Sequence, residues 1–184
     1  VEAMHDELRR EAGFLPAEQL RTIYFGGGTP SLLPPEELEE FIAHAAELFD
    51  CTVLEECTVE ANPDDLTPDY LRRLARTRVD RLSIGVQSFD DGELRLMNRR
   101  HTADAARKAV RQAQEAGFGN VTVDLIFGVP GFGAATLARN LRETVALGVQ
   151  HISAYHLTVE PQTAFGRRMA QGRFSPVTEE TSEE

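Results

Sequence analysis

The sequence has 184 residues, and 30 acidic side chains against 19 Lys and Arg give a formal net charge of −11 with the histidines neutral. A surface this acidic repels phosphate backbones, which excludes a generic basic nucleic-acid binder. The hydrophobic content of 41% is sufficient for a core, so we expect one domain or part of a larger one. No apolar run reaches the ~20 residues of a transmembrane helix and no secretion signal is recognisable, which favours a cytoplasmic location.

Two cysteines, Cys51 and Cys57, restrict the redox and metal chemistry of the chain. Nothing indicates the oxidising compartment that a disulfide requires, and a tetrahedral metal site needs two further ligands. The five histidines lack the HExxH spacing of a zinc-binding helix. The sequence therefore predicts no metal site that this chain makes alone.

Strand-like and helix-like segments alternate along the chain. Residues 1–19 contain a helix from a preceding unit, with Met4, Leu8 and Ala12 at four-residue spacing. The predicted strands are Thr22–Phe25, Cys57–Ala61, Arg81–Val86, Asn120–Phe127 and His151–Leu157. The predicted helices are one after Pro34 that includes Leu38 and Leu48, then Pro68–Arg76, Asp90–Leu96, Thr102–Ala116 and Ala134–Ala146. Residues 161–184 are expected to form a turn-rich, acidic tail.

The strand-then-helix order over residues 20–160 predicts repeated βα units and a parallel sheet. Five strands do not close an eight-stranded barrel, which takes ~250 residues. An open doubly wound sheet is an alternative. However, polar or glycine residues follow each strand, and in a barrel-type sheet such junctions converge on the face where active sites are built. We therefore predict an α/β fold that is part of a parallel βα barrel.

The first junction is the glycine turn Gly26-Gly27-Gly28-Thr29-Pro30. Contiguous glycines permit positive φ and close backbone approach, so the exposed amides can bind a carboxylate, a phosphate or a carbonyl group. A tight structural turn explains the same residues equally well. This junction alone is compatible with a cluster-independent βα-barrel binding protein or a phosphate-handling enzyme that holds an anion at Gly26–Thr29.

The second junction begins with Glu60 at the end of a strand and Asn62 two residues later. Alternation along a strand lets both side chains project to the same side of the sheet. A carboxylate there can accept hydrogen bonds from ribose hydroxyls or from an ammonium group, so we favour a binding role for Glu60. For Asp64, Asp65 and Thr67 we favour helix capping.

Further polar residues follow the third strand or lie within the fourth. Gln87 can donate and accept hydrogen bonds at once, which suits a sugar or amino-acid ligand, although it can also cap the next helix. The basic run Arg99-Arg100-His101 comes about ten residues later, and one of its arginines can hold a ligand carboxylate, although most charge runs are solvated faces. Asp124 lies in a strand that we expect to be covered on both faces, so it requires a ligand or a partner such as a buried arginine or backbone amides.

The fifth strand also ends in polar residues. Alternation places Ser153 and Tyr155 on one side of the sheet, and His156 and Thr158 on the other. We interpret His151 and His156 as structural, because a single strand histidine is more often a satisfied structural residue than a ligand.

Six segments in this order closely resemble the radical S-adenosylmethionine (SAM) proteins of the oxygen-independent coproporphyrinogen III oxidase group, and most of all its heme chaperone branch. The segments are YFGGGTPSLL from Tyr24, EANP from Glu60, SIGVQSF from Ser83, RRH from Arg99, DLIFGVP from Asp124 and ISAY from Ile152. The resemblance extends over about residues 20 to 178. One departure from the branch is Phe132, which stands where glutamine is common.

The resemblance implies a partial (βα)6 barrel that binds SAM across the ends of its strands. The positions that match the family's SAM contacts are Gly27, Gly28, Thr29, Glu60, Gln87, Arg99, Asp124 and Thr158. The glycine turn and Thr29 are implied to meet the methionine end, and Arg99 its carboxylate. Glu60 and Asp124 are implied to serve the ribose or the amino group.

The family reduces SAM with a four-iron four-sulfur cluster held by a CxxxCxxC loop, and this sequence contains no such loop. Cys51 and Cys57 have the wrong spacing, so we interpret the chain as a core domain truncated at both ends, with no metal ligand and no catalytic residue of its own. The resemblance implies that the parent protein either oxidises a porphyrinogen propionate through a 5′-deoxyadenosyl radical or hands heme to recipient proteins. We expect the 184 residues alone to do neither.

Overall fold

The computed structural model describes residues 1–14, 19–172 and 177 and contains one five-stranded sheet in that part of the chain. The strands are β1 (Thr22–Phe25), β2 (Glu56–Ala61), β3 (Arg81–Gln87), β4 (Asn120–Phe127) and β5 (His151–His156). All neighbouring pairs are parallel, and the spatial order is the order along the chain. This is the predicted partial βα barrel, not a doubly wound sheet, in which the strand order reverses.

Seven α-helices precede, connect or follow the strands in the described residues. They are α1 (Glu2–Glu11), α2 (Pro35–Leu48), α3 (Pro68–Leu74), α4 (Asp91–Leu96), α5 (Ala103–Glu115), α6 (Ala134–Ala146) and α7 (Ala164–Ala170). Short 3₁₀ turns at Pro30–Leu32 and Pro63–Asp65 follow β1 and β2. Thr102 caps α5 by accepting a hydrogen bond from the Ala105 amide, and Gly117, with φ +103°, follows its end.

One face of the sheet is apolar and packs against the helices. Residues such as Val59, Leu82 and Val123 are fully buried in a core that also contains Leu38 of α2 and Val110 of α5. Successive parallel strands joined by right-handed crossovers place their helices on the same face of the sheet. The helices therefore leave the opposite face of the sheet uncovered by crossovers.

That opposite face, which we call the polar face, carries a different set of side chains. It contains Thr58 and Glu60 of β2, Arg81, Ser83 and Gln87 of β3, and Thr122 and Asp124 of β4. At its amino-terminal end, Arg81 pairs with Glu56 at 2.9 Å and donates to the Thr122 hydroxyl at 2.9 Å. These bonds satisfy the polar groups there, whereas the carboxyl ends of the strands lead to the junctions.

Three sequence predictions were wrong in detail. Asp124 was expected in a strand covered on both faces, but β4 alternates between apolar helix-facing residues and polar ones. Of the three residues that we interpreted as helix caps, Thr67 caps α3. Asp65 instead accepts a hydrogen bond from the Ser31 hydroxyl at 2.7 Å, and Asp64 lies 3.6 Å from the guanidinium of Arg100. The stretch predicted as turn-rich contains α7; residues 173–176 and 178–184 lie outside the described part of the chain.

No helix in the described residues is long and apolar enough to cross a membrane.

Candidate functional site

A cavity of about 340 Å³ opens at the carboxyl ends of the strands, on the polar face. It is lined by Gly28, Thr29, Glu60, Ala61, Asn62, Ser83, Gly85, Gln87, Arg99, Asp124, Ile126 and Tyr155. Six of the eight predicted SAM contacts are in this set, although they come from four different βα units. The remaining two are Gly27, whose amide bonds to Glu60, and Thr158, which is exposed in the segment after β5 and does not line the cavity.

The glycine turn and Tyr24 of β1 are each held to Glu60 by one hydrogen bond. The Tyr24 hydroxyl donates to Oε1 of Glu60 at 2.9 Å, and the Gly27 amide donates to Oε2 at 3.1 Å. A Cβ on Gly26 would lie 2.7 Å from the Tyr24 ring, so glycine is needed there for Tyr24 to reach the carboxylate. Partial burial, the hydrogen bond to Glu60 and the charge of Glu60 raise the pKa of Tyr24 to about 12, which keeps the phenol a neutral donor.

Asp124 faces the same cavity from the middle of β4. The Ser83 hydroxyl lies 3.1 Å from both carboxylate oxygens, and Ser153 donates a second hydrogen bond. Burial raises the pKa of Asp124 despite these two hydrogen bonds, which act in the opposite direction. The predicted alternative partners, a buried arginine or backbone amides, are not the ones found among the described residues. The carboxylate is oriented by hydroxyls and retains capacity to accept from a ligand.

Gln87 ends β3 in a left-handed backbone conformation, with φ +67°. The register between β3 and β4 shifts between Ile84 and Gln87, which marks a bulge at this point. The Gln87 side chain lies over Gly85, because a Cβ on Gly85 would be 2.8 Å from Nε2 of Gln87. The bulge and the glycine together bring the side-chain amide over the polar face.

Arg99 supplies the positive charge of the cavity. It is half-buried in the loop between α4 and α5, and it forms no ion pair with a carboxylate of the described residues. Burial lowers the pKa of Arg99 from its ordinary value without threatening its charge at neutral pH. Arg100 differs, since Asp64 and Asp65 lie 3.6 and 4.0 Å from its guanidinium. Arg99 is therefore available for the carboxylate of a ligand.

The charged groups lining the cavity are two carboxylates and one guanidinium, which give it a formal charge of −1. The carboxylates suit an ammonium group, a sulfonium or ribose hydroxyls, and the guanidinium suits a carboxylate. The ligand class that fits this set is a zwitterion or monocation with hydroxyl groups. A doubly charged anion does not fit it.

Several residues in or beside the cavity were not among the predicted contacts. Tyr24, Ser83 and Gly85 act on or beside predicted residues, and Tyr155 is 57% exposed beside the cavity. The alternation of polar and apolar residues in β3 and β4 could have indicated Ser83, because it shares the phase of Gln87 and Arg81. The contact of Tyr24 with Glu60 joins residues 36 positions apart and leaves no pattern in the sequence.

The two cysteines do not fit an iron–sulfur cluster. Cys57 is 1% exposed in the helix-facing core of β2, and burial raises its pKa to about 12, which opposes the thiolate that a metal needs. Cys51 is half-buried before β2. Across the described residues, no three His, Cys, Asp or Glu side chains are placed to hold a metal ion. The described residues therefore do not supply the ligands of a cluster, whereas the cavity lining carries donors and acceptors that match the carboxylate, the ammonium group and the ribose hydroxyls of SAM.

Residues 3–156 match the Radical SAM superfamily. The chain belongs to this superfamily. Radical SAM proteins use S-adenosylmethionine and a four-iron four-sulfur cluster. The structure of the radical SAM methyltransferase TsrM from Kitasatospora setae contains a bound [4Fe-4S] cluster, and its fold matches this chain with a TM-score of 0.64 at 18% identity, over 91% of this chain and 33% of TsrM.

The curated relatives of this radical SAM chain include heme chaperones. It is 38% identical over 172 residues to the heme chaperone HemW of Lactococcus lactis subsp. lactis (strain IL1403), covering 94% of this chain and 45% of the relative. It is 32% identical over 168 residues to HemW of Escherichia coli (strain K12), and this match covers 91% of this chain and 44% of the relative. The radical SAM chain therefore spans less than half the length of these relatives.

A solved radical SAM structure supports the same fold. Coproporphyrinogen III oxidase (HemN) from Escherichia coli, a radical SAM enzyme, matches with a TM-score of 0.81 and 24% identity, over 98% of this chain and 41% of that one. The predicted fold and the predicted family are both confirmed. The eight SAM contacts remain predictions, because the comparisons identify no contact residue.

Proposed function

We propose that this chain is the SAM-binding portion of a radical SAM protein of tetrapyrrole metabolism, acting as a heme chaperone. The observation that carries the SAM assignment is the cavity in which Glu60, Gln87, Arg99 and Asp124 meet beside Gly28. SAM has an ammonium, a sulfonium and a carboxylate, so its net charge of about +1 complements the formal −1 of the cavity lining. Residues 20–160 form the SAM-binding βα units in this proposal.

The carboxylate and the ammonium group of SAM each have a matching residue in this arrangement. Arg99 binds the carboxylate, and Thr29 with the Gly28 amide positions the methionine end. Asp124, oriented by Ser83, accepts hydrogen bonds from the ribose hydroxyls or the amino group. Glu60 is the second acceptor. SAM supplies, when bound, the sulfonium carbon–sulfur bond that the superfamily cleaves by reduction.

The rival function, a phosphate-handling protein, is disfavoured by the contacts of the glycine turn. Its Gly27 amide already donates to the Glu60 carboxylate, so a phosphate at the turn would lie beside a negative charge. Arg99 is the one cation lining the cavity in the described part of the chain, and two carboxylates face it. A phosphate binder would need the opposite balance.

The tetrapyrrole assignment rests on similarity to HemW and to HemN, and the choice between them needs its own test. We propose the chaperone activity because HemW proteins are 32 to 38% identical to this chain, whereas HemN is 24% identical. Heme and heme-recipient proteins are then the partners, and porphyrinogen is the substrate of the alternative oxidase. In the full-length parent protein, stable heme binding without decarboxylation of coproporphyrinogen supports the chaperone, whereas decarboxylation overturns it.

SAM binding can be tested on the full chain by saturation-transfer NMR, a method that still detects a ligand whose Kd is in the millimolar range. We expect saturable SAM binding that Asp124→Ala weakens at least tenfold, as expected for loss of a charged hydrogen-bond acceptor. The matched control is Asp104→Asn, since the Asp104 side chain is 93% exposed on α5. Binding of inorganic phosphate instead of SAM, or equal SAM affinity in Asp124→Ala, would refute the assignment.

A further inference from the structure

The backbone of Gln87 is held in a left-handed conformation, which a residue with a side chain rarely adopts. In the described residues, Gln87 and Asn98 are the two non-glycine residues with positive φ. Such a conformation persists only where surrounding contacts impose it. The contacts that impose it at Gln87 start at the next residue, because the Ser88 amide donates to the Val86 carbonyl at 2.8 Å across the turn.

A buried polar cluster stands directly behind this turn. Its members are Ser88, Glu93 of α4 and Asn140 of α6, which are 0, 3 and 1% exposed. Ser88 donates to Glu93, and Nδ2 of Asn140 lies 3.1 Å from both the Ser88 hydroxyl and the Glu93 carboxylate. The Phe89 amide donates to Oδ1 of Asn140 at 3.0 Å. Every hydrogen-bonding atom of the Asn140 side chain is thus used on the segment after Gln87 or on Glu93.

We propose that Asn140 and Glu93 are positioning residues that hold the Gln87 turn so that its side-chain amide faces bound SAM. This inference rests on the proposed function, since it concerns the same cavity. Neither residue lines the cavity, so neither contacts the ligand. Asn140 comes from the βα unit after β4 and reaches back more than fifty residues to the end of β3.

The cluster carries an ionisable group that is unusual for a purely structural contact. Glu93 is buried, and burial raises its pKa although Ser88 and Asn140 donate to it. Asp90 and Arg139 are the charged residues that also act on it, and these two pair with each other. A hydrophobic side chain would fill the space without this penalty, but it could not orient both Ser88 and Asn140. The polar cluster therefore fixes the direction of the turn and does more than fill the space behind it.

A double-mutant cycle on the full chain tests the inference, with SAM affinity measured by saturation-transfer NMR and stability by thermal unfolding. We expect Asn140→Ala to weaken SAM about fivefold, the equivalent of one hydrogen bond. In the Gln87→Ala background we expect the same substitution to change affinity less than about 1.5-fold, while the stability loss persists. Ser88→Ala serves as a milder second variant of the cluster and should show the same coupling.

Two controls separate positioning from general destabilisation. Thr144 lies one turn after Asn140 in α6, and its buried hydroxyl donates a hydrogen bond to the Asn140 carbonyl. Thr144→Val removes this hydroxyl, so it should lower stability and leave SAM affinity unchanged. Glu93→Gln keeps the acceptor oxygen and should retain SAM affinity, whereas Glu93→Leu should lose it about as Asn140→Ala does.

The possible outcomes are distinct. Losses in affinity that multiply in the double variant, or an equal loss in Thr144→Val, would overturn the positioning role while leaving the proposed function intact. Absence of SAM binding by the unsubstituted chain would overturn the proposed function, and this inference with it. A loss confined to variants that retain Gln87 supports both.

Discussion

Glu60→Gln is expected to lower the pKa of Tyr24 from its value of about 12 part of the way towards the ordinary value of 10.0. Four effects raise that pKa, namely partial burial, the hydrogen bond to Glu60, the negative charge of Glu60 and, last, the charge of Asp124, while a hydrogen bond with Ser83 lowers it. The substitution leaves the burial unchanged and preserves an acceptor oxygen, but it removes the charge. The pKa should therefore fall part of the way towards 10 and no further.

The size of the effect follows from the exposure of the phenol. A rise from 10.0 to about 12 corresponds to ~2.7 kcal/mol at full weight, and because Tyr24 is 56% exposed, screening by solvent reduces its contribution to folding to ~1 kcal/mol. The folded state favours the neutral phenol. This stabilisation is therefore fully present below pH ~10 and is lost as the pH rises towards 12.

Absorbance at the tyrosinate band measures this pKa in a chain whose other two tyrosines are phenylalanine. Tyr70→Phe is required because burial raises the pKa of Tyr70 to about 12 as well, and it should be tolerated because the buried Tyr70 hydroxyl has no hydrogen-bond partner in the described structure. Asp124→Asn should lower the Tyr24 pKa by less, since Asp124 is the weakest contributor. A Tyr24 pKa that stays at about 12 in Glu60→Gln would show that the Tyr24–Glu60 contact is wrong.

Three further predictions follow from the same geometry. Gly85→Ala places a Cβ 2.8 Å from Nε2 of Gln87, so SAM affinity should fall about fivefold by NMR titration with little change in Tm; unchanged affinity would contradict this. SAM binding should weaken as the pH falls and Asp124 is protonated, and because burial raises the pKa of Asp124 this loss should begin above the ordinary range of an aspartate. The hydrogen bond from Ser83 lowers that pKa, so Ser83→Ala should move the loss of binding to still higher pH; an unmoved pH profile would exclude Asp124 as the titrating group. Thr102→Ala removes the cap of α5 and should destabilise the chain by about 1 kcal/mol in urea unfolding, with SAM affinity unchanged; equal stability would mean that the cap contributes nothing.

The elements and their order could be predicted because hydrophobic period and turn residues determine them locally. The bounds of β1, β4 and α6 agree with the predicted ones, and the other strands differ by a single residue at one end. Convergence of the site residues followed from topology, since parallel strands in sequential order bring their carboxyl ends to one edge. The helix at Ala164–Ala170 was missed because Gly166 and flanking turn residues obscure its pattern.

The supporting contacts of the site could not be predicted, because they depend on side chains that meet only after folding. The pairs Tyr24–Glu60, Ser83–Asp124 and Phe89–Asn140 join residues 36, 41 and 51 positions apart. No local period encodes such separations. The alternation in β3, and in β4 as far as Leu125, was available in the sequence, and it would have shown that these strands have one polar face.

The carboxylate that caps the glycine turn has a consequence for selectivity among adenosine compounds. ATP and its relatives carry the same nucleoside as SAM but end in a multiply charged triphosphate, and in cells they are abundant competitors. A glycine-rich turn with free amides could bind those phosphates through hydrogen bonds. Because Glu60 holds the Gly27 amide, a triphosphate at this turn would lie beside a negative charge on the protein's own second strand, so we expect the proposed SAM site to discriminate among adenosine compounds by the group at the 5′ carbon.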